Sequence, residues 1–321
     1  MNEQRKRSRG NRYRNVRWGR VLVALLGMIV AAFGLTKLIG YGVHLLSSRR
    51  TAQDLRAVYH ADPEPELIAE TEAPVASPAS TRLETPTIAP TAVVMPTQSP
   101  IPRLPSVSYQ DNAKLNITSR FKALRKENKD IVGWLSINRM LDEAVVQRDN
   151  VYYLDHDAAG NSNVNGALFL DSAIDLKTRP YTYIIYGHNM KSGAMFGNLR
   201  NYGNSTFYHN DPFITFDTMY ERGRYVIFAV GCINVEEWGQ DYVDFFALRS
   251  ANIQERQATI DTLISASVHT CSIDVQVDDQ LLVLVTCVEK DENRRVVVAR
   301  RIRDGEDETE LKRLIERSRK R

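Results

Sequence analysis

The segment Leu281–Ile302 reads LLVLVTCVEKDENRRVVVARRI and contains two apolar, β-branched runs around six mostly polar residues, 288–293. The first run ends in Cys287, and the second begins with Arg294 and Arg295. Two such runs around a short polar break predict an antiparallel β-hairpin. A thiol at the mouth of a strand, beside a guanidinium, is a candidate for covalent catalysis.

The positive charge of the chain is concentrated at its N-terminal end. The 321 residues carry a formal net charge of +3, but residues 1–50 hold eleven Lys and Arg and one acidic residue. The rest of the chain therefore has 31 basic and 38 acidic residues. The basic pI is thus no indication that the folded part binds nucleic acid.

The three cysteines, Cys232, Cys271 and Cys287, do not form a metal-binding pattern. The sequence has no CxxC pair and no Cys/His cluster at zinc spacing, so we expect neither a structural metal nor another cofactor. Because three is an odd number, at least one thiol stays outside any intramolecular disulfide. Pairing of Cys232 with Cys271 is left open.

An apolar run near the N-terminus predicts a membrane anchor. Residues 1–20 are basic, and residues 21–46 are apolar at all but four positions. About 20 helical residues cross a bilayer core, whereas a cleaved signal peptide has an apolar region of about 7–15 residues and a small-residue cleavage site. The eight basic residues before the run and two after it predict a cytoplasmic N-terminus and an extracellular C-terminal part. A buried helix of a soluble protein is the alternative.

Residues 47–108 differ in composition from both neighbours. Ten of the twelve prolines lie between Pro63 and Pro105, mixed with Thr, Ala, Ser and Glu. Such a segment buries too little apolar surface to offset the entropy lost on ordering it. We interpret it as a disordered, partly polyproline spacer that holds a domain away from the membrane.

Residues 109–303 read as a mostly β domain. Helices are predicted at Asn116–Lys126, capped by Asn116 or Thr118, and at residues 251–268. Besides the hairpin, the β-like runs are Ile131–Ile137, Ala144–Gln147, Ala167–Asp171, Tyr181–Tyr186, Phe213–Phe216, Arg224–Val230 and Asp274–Val277. About nine short strands with few crossover helices favour a mostly antiparallel barrel or sandwich. The charged tail, residues 304–321, is either a short amphipathic helix or solvated.

A catalytic thiol needs a base or a positive neighbour to form a thiolate near neutral pH. Four histidines lie in the predicted domain: His156, His188, His209 and His269. His188 follows the strand-like YTYIIYG and precedes a glycine-rich loop, which is a position that faces a cleft. We interpret His156 and His209 as surface residues in polar turns, and His269 as a cation at a helix end.

A cysteine in an apolar strand is more often a core residue than a nucleophile. Cys232, in FAVGC, fits the core interpretation, and Cys271 fits either one. Cys287 differs because it ends its run, follows a polar threonine and faces a strand with arginines. Side chains alternate along a strand, so only one of Arg294 and Arg295 can serve a site at Cys287, and residue type does not choose between them.

Three motifs, in order, make the domain resemble a class B sortase, a membrane-anchored transpeptidase of Gram-positive bacteria. Val283–Cys287 (VLVTC) is similar to the family's Thr-Leu-x-Thr-Cys, with Val in place of the first Thr. Tyr186–Met190 (YGHNM) resembles the histidine motif, and Arg294–Val298 (RRVVV) resembles the arginine motif. In this alignment the arginine of the family motif corresponds to Arg294, not Arg295. The resemblance spans about residues 115–303.

The resemblance implies a closed β-barrel of about eight strands, an N-terminal helix and an extra helix before the cysteine strand. It implies cleavage of a C-terminal sorting motif of surface proteins after a threonine, through a thioester on Cys287. His188 would transfer protons, Arg294 would contact the oxyanion or the substrate backbone, and Thr286 would contribute a hydroxyl to substrate binding. The acceptor would be an amine of a cell-wall precursor or a pilin lysine, and residues 232–250 would help select the motif.

Two other kinds of protein share some of these features. A cysteine transpeptidase that acts on peptidoglycan stem peptides would have the anchor and a Cys/His/Arg site, but its glycine-rich Ser/His–Gly–Cys context is absent. A surface-tethered β-barrel that binds a partner without chemistry would be expected to lose one of the three site residues, and all three are present.

Overall fold

The computed structural model of this chain describes residues 18–61, 102–235, 242–287 and 293–321. The chain divides into two compact units, Met1–Ser47 and Ser48–Arg321. Helix α1, Trp18–His60, begins in the first unit and ends in the second. Within α1, the 19 residues Leu22–Gly40 have a mean hydropathy of 2.3 and are not buried. This stretch is long and apolar enough to cross a bilayer.

The second unit contains a closed barrel of eight strands in the described residues. In order around the barrel the strands are β1-β2-β3-β4-β7-β8-β6-β5, and β5 pairs with β1. Their bounds are β1 Ile131–Ile137, β2 Leu141–Val146, β3 Leu168–Leu170, β4 Thr182–His188, β5 Phe213–Thr218, β6 Arg224–Asn234, β7 Leu281–Cys287 and β8 Asn293–Arg301. The predicted closed barrel is confirmed, but β2–β3 and β4–β7 pair in parallel, so the sheet is mixed.

Strand β7 has a paired neighbour on each edge, β4 and β8. It pairs antiparallel with β8 from Leu281↔Arg300 to Val285↔Val296, which confirms the predicted hairpin. On its other edge it pairs in parallel with β4 over seven residues. The side chains of Leu281–Val285 are at most 1% exposed. A strand that is paired on both edges and covered on both faces must be almost entirely apolar, which explains the composition of this run.

In the described residues, four further α-helices surround the barrel: α2 Ser119–Glu127, α3 Ser205–Asn210, α4 Ile253–Ala266 and α5 Glu308–Glu316. Thr118 is the N-cap residue of α2, and the Asn252 side chain caps α4 by accepting from two backbone N–H groups. The helix predicted before the cysteine strand is therefore present as α4. In the C-terminal tail, α5 buries Leu311 and Ile315, so of the two alternatives the helix is the one that forms.

One predicted strand is wrong. Residues 274–277 form no strand, because their polar groups bond to arginine side chains instead of a neighbouring backbone. The carbonyl of Asp274 accepts from Arg300 Nε at 2.6 Å, and the Asp274 carboxylate accepts from Arg303 Nη1 at 2.9 Å. The carbonyl of Val277 accepts from Arg256 Nε at 2.6 Å.

The structure also differs from the predicted spacer at its start. The spacer was expected from residue 47, but α1 continues to His60 and buries Ala52, Leu55 and Tyr59. The Tyr59 ring stacks on Trp134 with centroids 4.2 Å apart. The spacing of these three residues forms one helical face that fits the barrel, although the polar residues between them hide it in the composition. Residues 62–101 of the predicted spacer lie outside the described residues.

Arg256 joins α4 to the starts of β4 and β7. Its guanidinium is fully buried, and burial lowers its pKa to about 10. It donates to the hydroxyl of Thr182 and to the carbonyl oxygens of Tyr181, Leu248, Val277 and Asp279. Five acceptors from three segments, 181–182, 248 and 277–279, thus share one cation.

Replacing this cation should destabilise the domain. We expect Arg256→Met to lower the free energy of unfolding by about 3 kcal/mol or more, because several buried carbonyls lose their donor. Chemical denaturation of the full chain in detergent measures the loss. Gln254→Met, at an exposed position of the same helix, is the matched control and should change stability by less than about 0.5 kcal/mol. Equal losses for the two variants would contradict this role for Arg256.

Candidate active site

Three neighbouring strands carry the predicted catalytic residues to one row of the sheet. His188, the last residue of β4, is the ladder partner of Cys287, the last residue of β7. The β7–β8 ladder ends at the pair Val285↔Val296; continued by two residues in the same register, it would set Cys287 opposite Arg294. Adjacent strands lie about 4.8 Å apart, so the backbones of His188 and Cys287 are direct neighbours. The side chain of Cys287 lies outside the described part of the structure.

His188 is held through one ring nitrogen. Its Nε2 lies 2.7 Å from the carbonyl oxygen of Leu154, and the ring is half-buried. A carbonyl oxygen only accepts hydrogen bonds, so Nε2 carries the proton of the neutral ring. Nδ1 is then the nitrogen that can accept a proton from a reacting group.

The loop after His188 is a closed turn that packs beneath the end of β4. Asn189 and Met195 form an isolated bridge, and the Phe196 N–H donates to the His188 carbonyl at 3.0 Å. Phe196 is fully buried against Gly187. A Cβ at Gly187 would lie 2.5 Å from Leu168 Cδ2 and 2.9 Å from the Phe196 ring, so only glycine fits beside the histidine.

Arg294 and Arg295 occupy opposite faces of β8, as alternation requires. The register sets Arg295, not Arg294, across from Thr286, and the Arg295 N–H donates to the Thr286 hydroxyl at 3.0 Å. On its other edge β8 pairs Arg295 with Cys232 and Arg294 with Ile233. If the β7–β8 register continues unchanged, Arg294 shares its row with Cys287 and His188, whereas Arg295 contacts Thr286.

Thr286 is fully buried. Its hydroxyl is occupied by the Arg295 backbone, so the structure assigns it a role in joining β7 to β8 one residue before the cysteine. A contact between this hydroxyl and a substrate stays a prediction.

The other three histidines have structural partners. His156 stacks on Tyr152 with centroids 4.0 Å apart, and its Nδ1 lies 2.6 Å from Asp155 Oδ1. His209 Nε2 lies 3.2 Å from the Ser318 carbonyl oxygen. His269 is only 1% exposed and lies beyond the end of α4, and burial lowers its pKa. The interpretation of His269 as a cation at a helix end is therefore wrong.

The two described cysteine side chains are both free thiols. Cys232 is exposed near the end of β6, so its interpretation as a core residue is wrong; alternation turns it away from its buried neighbour Ile233. Cys271 is partly buried and its thiol donates to the Ile273 carbonyl at 3.2 Å. Burial raises the pKa of the Cys271 thiol, which disfavours a nucleophilic role.

A buried polar group near the site escaped the sequence prediction. Asp171, 2% exposed, accepts from the Tyr186 hydroxyl and from Arg249 Nη1, both at 2.8 Å. Tyr186 lies two residues before His188 on the same face of β4. The group ties residues 245–249, part of the predicted selectivity segment, to the strand that carries the histidine. Residues 236–241 of that segment lie outside the described residues.

A large cavity of about 1490 Å³ opens at the other end of the barrel, beside Gln280 and Arg301. It lies at the start of β7, and at about 3.3 Å per residue the strand separates it from Cys287 by roughly 20 Å. We therefore assign no catalytic role to it. In the described parts of the chain, no group of three or more His, Cys, Asp or Glu residues is arranged to hold a metal ion.

Comparison with known proteins agrees with this geometry. The Sortase domain family matches residues 135–302. Sortase B of Staphylococcus aureus is 28% identical over 191 residues, covering 58% of this chain and 76% of the relative. Sortase B of Listeria monocytogenes is 30% identical over 193 residues, covering 58% and 75%.

Solved structures give the same result for the fold. The crystal structure of Staphylococcus aureus sortase B has a TM-score of 0.52 at 28% identity and covers 59% of this chain and 90% of its own. A Bacillus anthracis protein described as similar to sortase B has a TM-score of 0.52 at 27% identity and covers 63% and 88%. The fold and these relatives thus define a sortase-type cysteine transpeptidase. The chain belongs to the sortase family, in its class B.

Adding one methyl group beside the histidine should reduce activity. In Gly187→Ala the new Cβ forces β4 or Phe196 to move, and we expect kcat/KM on a cleaved peptide to fall about ten-fold or more. Gly203→Ala is the matched control, because a Cβ there meets nothing within 4 Å. Steady-state kinetics of both variants decide the point. Unchanged kinetics in Gly187→Ala would mean that the position of His188 tolerates the shift.

Proposed function

We propose that this sortase cleaves a C-terminal sorting motif of surface proteins after a threonine and transfers the acyl group to an amine through a thioester on Cys287. The observation that carries the proposal is the ladder pair His188↔Cys287 on β4 and β7, with Arg294 on β8, the strand on the other edge of β7. Nucleophile, proton carrier and oxyanion donor are the three groups that acyl transfer requires.

In the first half of the reaction, the Cys287 thiol gives its proton to His188 Nδ1, and the resulting thiolate attacks the threonine carbonyl carbon. His188 gives a proton to the departing amine as the C–N bond breaks, which leaves the acyl group on sulfur. In the second half, the incoming amine attacks the thioester, His188 takes the amine proton, and the thiolate leaves. With Nε2–H bound to the Leu154 carbonyl, the transferred proton moves through Nδ1.

Arg294 donates hydrogen bonds to the oxyanion that develops at each step, or holds the substrate backbone beside it. Its guanidinium is always charged and presents several donors in one plane. One oxyanion donor typically stabilises the transition state by about 2.7–4 kcal/mol. Thr286 supports the site from the opposite face of β7 through its bond to Arg295.

The partners follow from the same chemistry. A Staphylococcus aureus sortase B has been solved as a substrate complex, and a sortase B has been solved with triglycine, a peptide that ends in a primary amine. We take the donor to be a surface protein or pilin with a sorting motif. The acceptor is an amine of a cell-wall precursor or a pilin lysine.

The proposed location is the cell membrane, with a single pass. The exposed apolar stretch Leu22–Gly40 within residues 21–46 and the basic residues 1–20 support an anchor with a cytoplasmic N-terminus. The catalytic domain, residues 109–303, is then extracellular. The tail, residues 304–321, packs with it through α5.

The proposal is tested first by trapping the thioester. Wild-type protein incubated with a panel of candidate sorting peptides should gain the mass of an acyl group, and hydroxylamine should release it. Cys287→Ala should lose both the adduct and peptide cleavage, because no other group supplies the nucleophile. Cys232→Ala, which removes an exposed thiol, is the control and should keep both. Cleavage by Cys287→Ala would refute the mechanism.

The two arginines provide a second test. Arg294→Ala should lower kcat about 10²- to 10³-fold, the usual effect of removing an oxyanion donor. Arg295→Ala should lower it less than about five-fold, because its side chain lies on the other face of β8. Rates of acylation in single-turnover experiments separate the effects. The reverse ranking would mean that Arg295 belongs to the site and that the ladder slips before residue 287.

A further inference from the structure

The part of helix α1 from Thr51 to His60 contacts both loops that flank His188. We propose that this segment supports the active site, and that Thr51 is a positioning residue that fixes the Leu154 carbonyl and, through it, the proton on His188 Nε2. The inference rests on the proposed function, in which His188 transfers the proton. Thr51 and the barrel belong to the same compact unit.

The contact begins at a buried carboxylate. The Thr51 hydroxyl donates to Asp157 Oδ2 at 3.0 Å, and Asp157 is only 3% exposed. The other oxygen, Oδ1, accepts from the backbone N–H groups of Ala159 and Asn161, both at 3.0 Å. A buried carboxylate is costly unless its oxygens are hydrogen-bonded. Within the loop Oδ2 also accepts from Asn161 Nδ2 at 3.4 Å, so the Thr51 hydroxyl supplies the shorter of these two bonds.

Asp157 organises the loop of residues 155–166. Backbone hydrogen bonds at the end of this loop hold the residues on both sides of Leu154. The Asn163 N–H donates to the Asp155 carbonyl at 2.7 Å, and the Ala167 N–H donates to the Tyr153 carbonyl at 3.0 Å. Gly166 has a φ of 60°, and a Cβ there would lie 2.8 Å from the Leu154 oxygen. The end of the loop therefore packs directly against the carbonyl that holds His188.

A second contact reaches the loop that follows His188. Thr51, Ala52 and Leu55 line a cavity of only about 20 Å³ together with Gly166 and Met195. Met195 has a φ of 50° and bridges to Asn189, the residue after the histidine. The helix segment thus fills the space between the two loops, with little room for either to shift.

Further along, the segment is attached by contacts remote from Leu154. The Tyr59 hydroxyl donates to buried Asp217 at 2.7 Å, and Arg56 Nη2 lies 2.6 Å from Glu143 Oε1. Attachment and positioning are therefore carried by different residues of one helix. This separation provides a matched control: Tyr59→Phe also removes one hydroxyl bond to a buried aspartate, but at a distance from the histidine.

Loss of the Thr51 hydroxyl should allow the proton of the His188 ring to move from Nε2 to Nδ1. When the Leu154 carbonyl is no longer fixed, the neutral ring can carry its proton on Nδ1, and Nδ1 then cannot accept one. This lowers kcat. KM changes little, because the strands β4 and β7 that carry the site keep their pairing.

The experiment uses the full chain in detergent with ¹⁵N-labelled histidine, and assigns the His188 signals from a His188→Gln spectrum. Wild type should show the Nε2–H tautomer. Thr51→Val should show a mixed tautomer and a kcat lowered about five- to ten-fold with KM within two-fold, and Thr51→Ser should restore both. Tyr59→Phe should lose comparable unfolding stability while its tautomer and kcat stay those of wild type.

Two results would overturn the inference. One is a wild-type His188 that is not in the Nε2–H form. The other is a tautomer and kcat that respond equally to Thr51→Val and Tyr59→Phe, which would make the helix a general stabiliser. The tautomer is measured without substrate, so a wild type that forms no thioester refutes the proposed function and leaves this test decisive.

Discussion

The parallel pairing of β4 with β7 is the constraint on which the site depends. Seven consecutive ladder pairs fix the register, and the last of them joins two residues that are 99 positions apart in the sequence, His188 and Cys287. A slip of one residue would move a side chain to the opposite face of the sheet. The apolar composition of both strands, which need cover on each face, makes such a slip costly.

The two ends of this strand pair are built for different purposes. At the start, buried Arg256 bonds to residues just before β4 and β7 and fixes where both strands begin. At the other end, Gly187 and Phe196 pack without spare room beside the histidine. Arg256 therefore fixes where β4 and β7 begin. The length of the two strands then sets where their last residues, His188 and Cys287, lie, about 20 Å away.

The features that the sequence predicted well are those with a local signal. Alternation and apolar runs identified the β7–β8 hairpin and β1, and motif residues led to the prediction of His188, Cys287 and Arg294 as site residues, which stays a prediction. The parallel β4–β7 ladder has no local signal, because it depends on which distant strands meet. The Leu154 carbonyl is a backbone group that any residue would supply. Residues 274–277 resembled a strand because the arginines that bond to them lie elsewhere in the chain.

The docking of residues 51–60 escaped prediction for a different reason. Its three buried residues are spread among polar ones, directly before a proline-rich composition that dominates any average over the segment. Burial of Leu55 and Tyr59 against Trp134 and Phe121 outweighs the modest helix propensity of so short a stretch. Tertiary packing, which has no local signal in the sequence, therefore decides where α1 ends.

The contacts that residues 51–60 make with the barrel also bear on the interpretation of residues 62–101 as a spacer. His60 contacts Asp142 on one side of the gap, and Leu104 bonds to Ala251 on the other, so both ends of the segment are fixed to one body. These contacts, and not the number of residues between them, therefore set the position of the barrel relative to Thr51. Doubling the number of residues between two fixed points costs only about 0.6 kcal/mol in closure entropy. Insertions and deletions between His60 and Leu104 should therefore be nearly neutral for stability and leave the pairing of His188 with Cys287 unchanged.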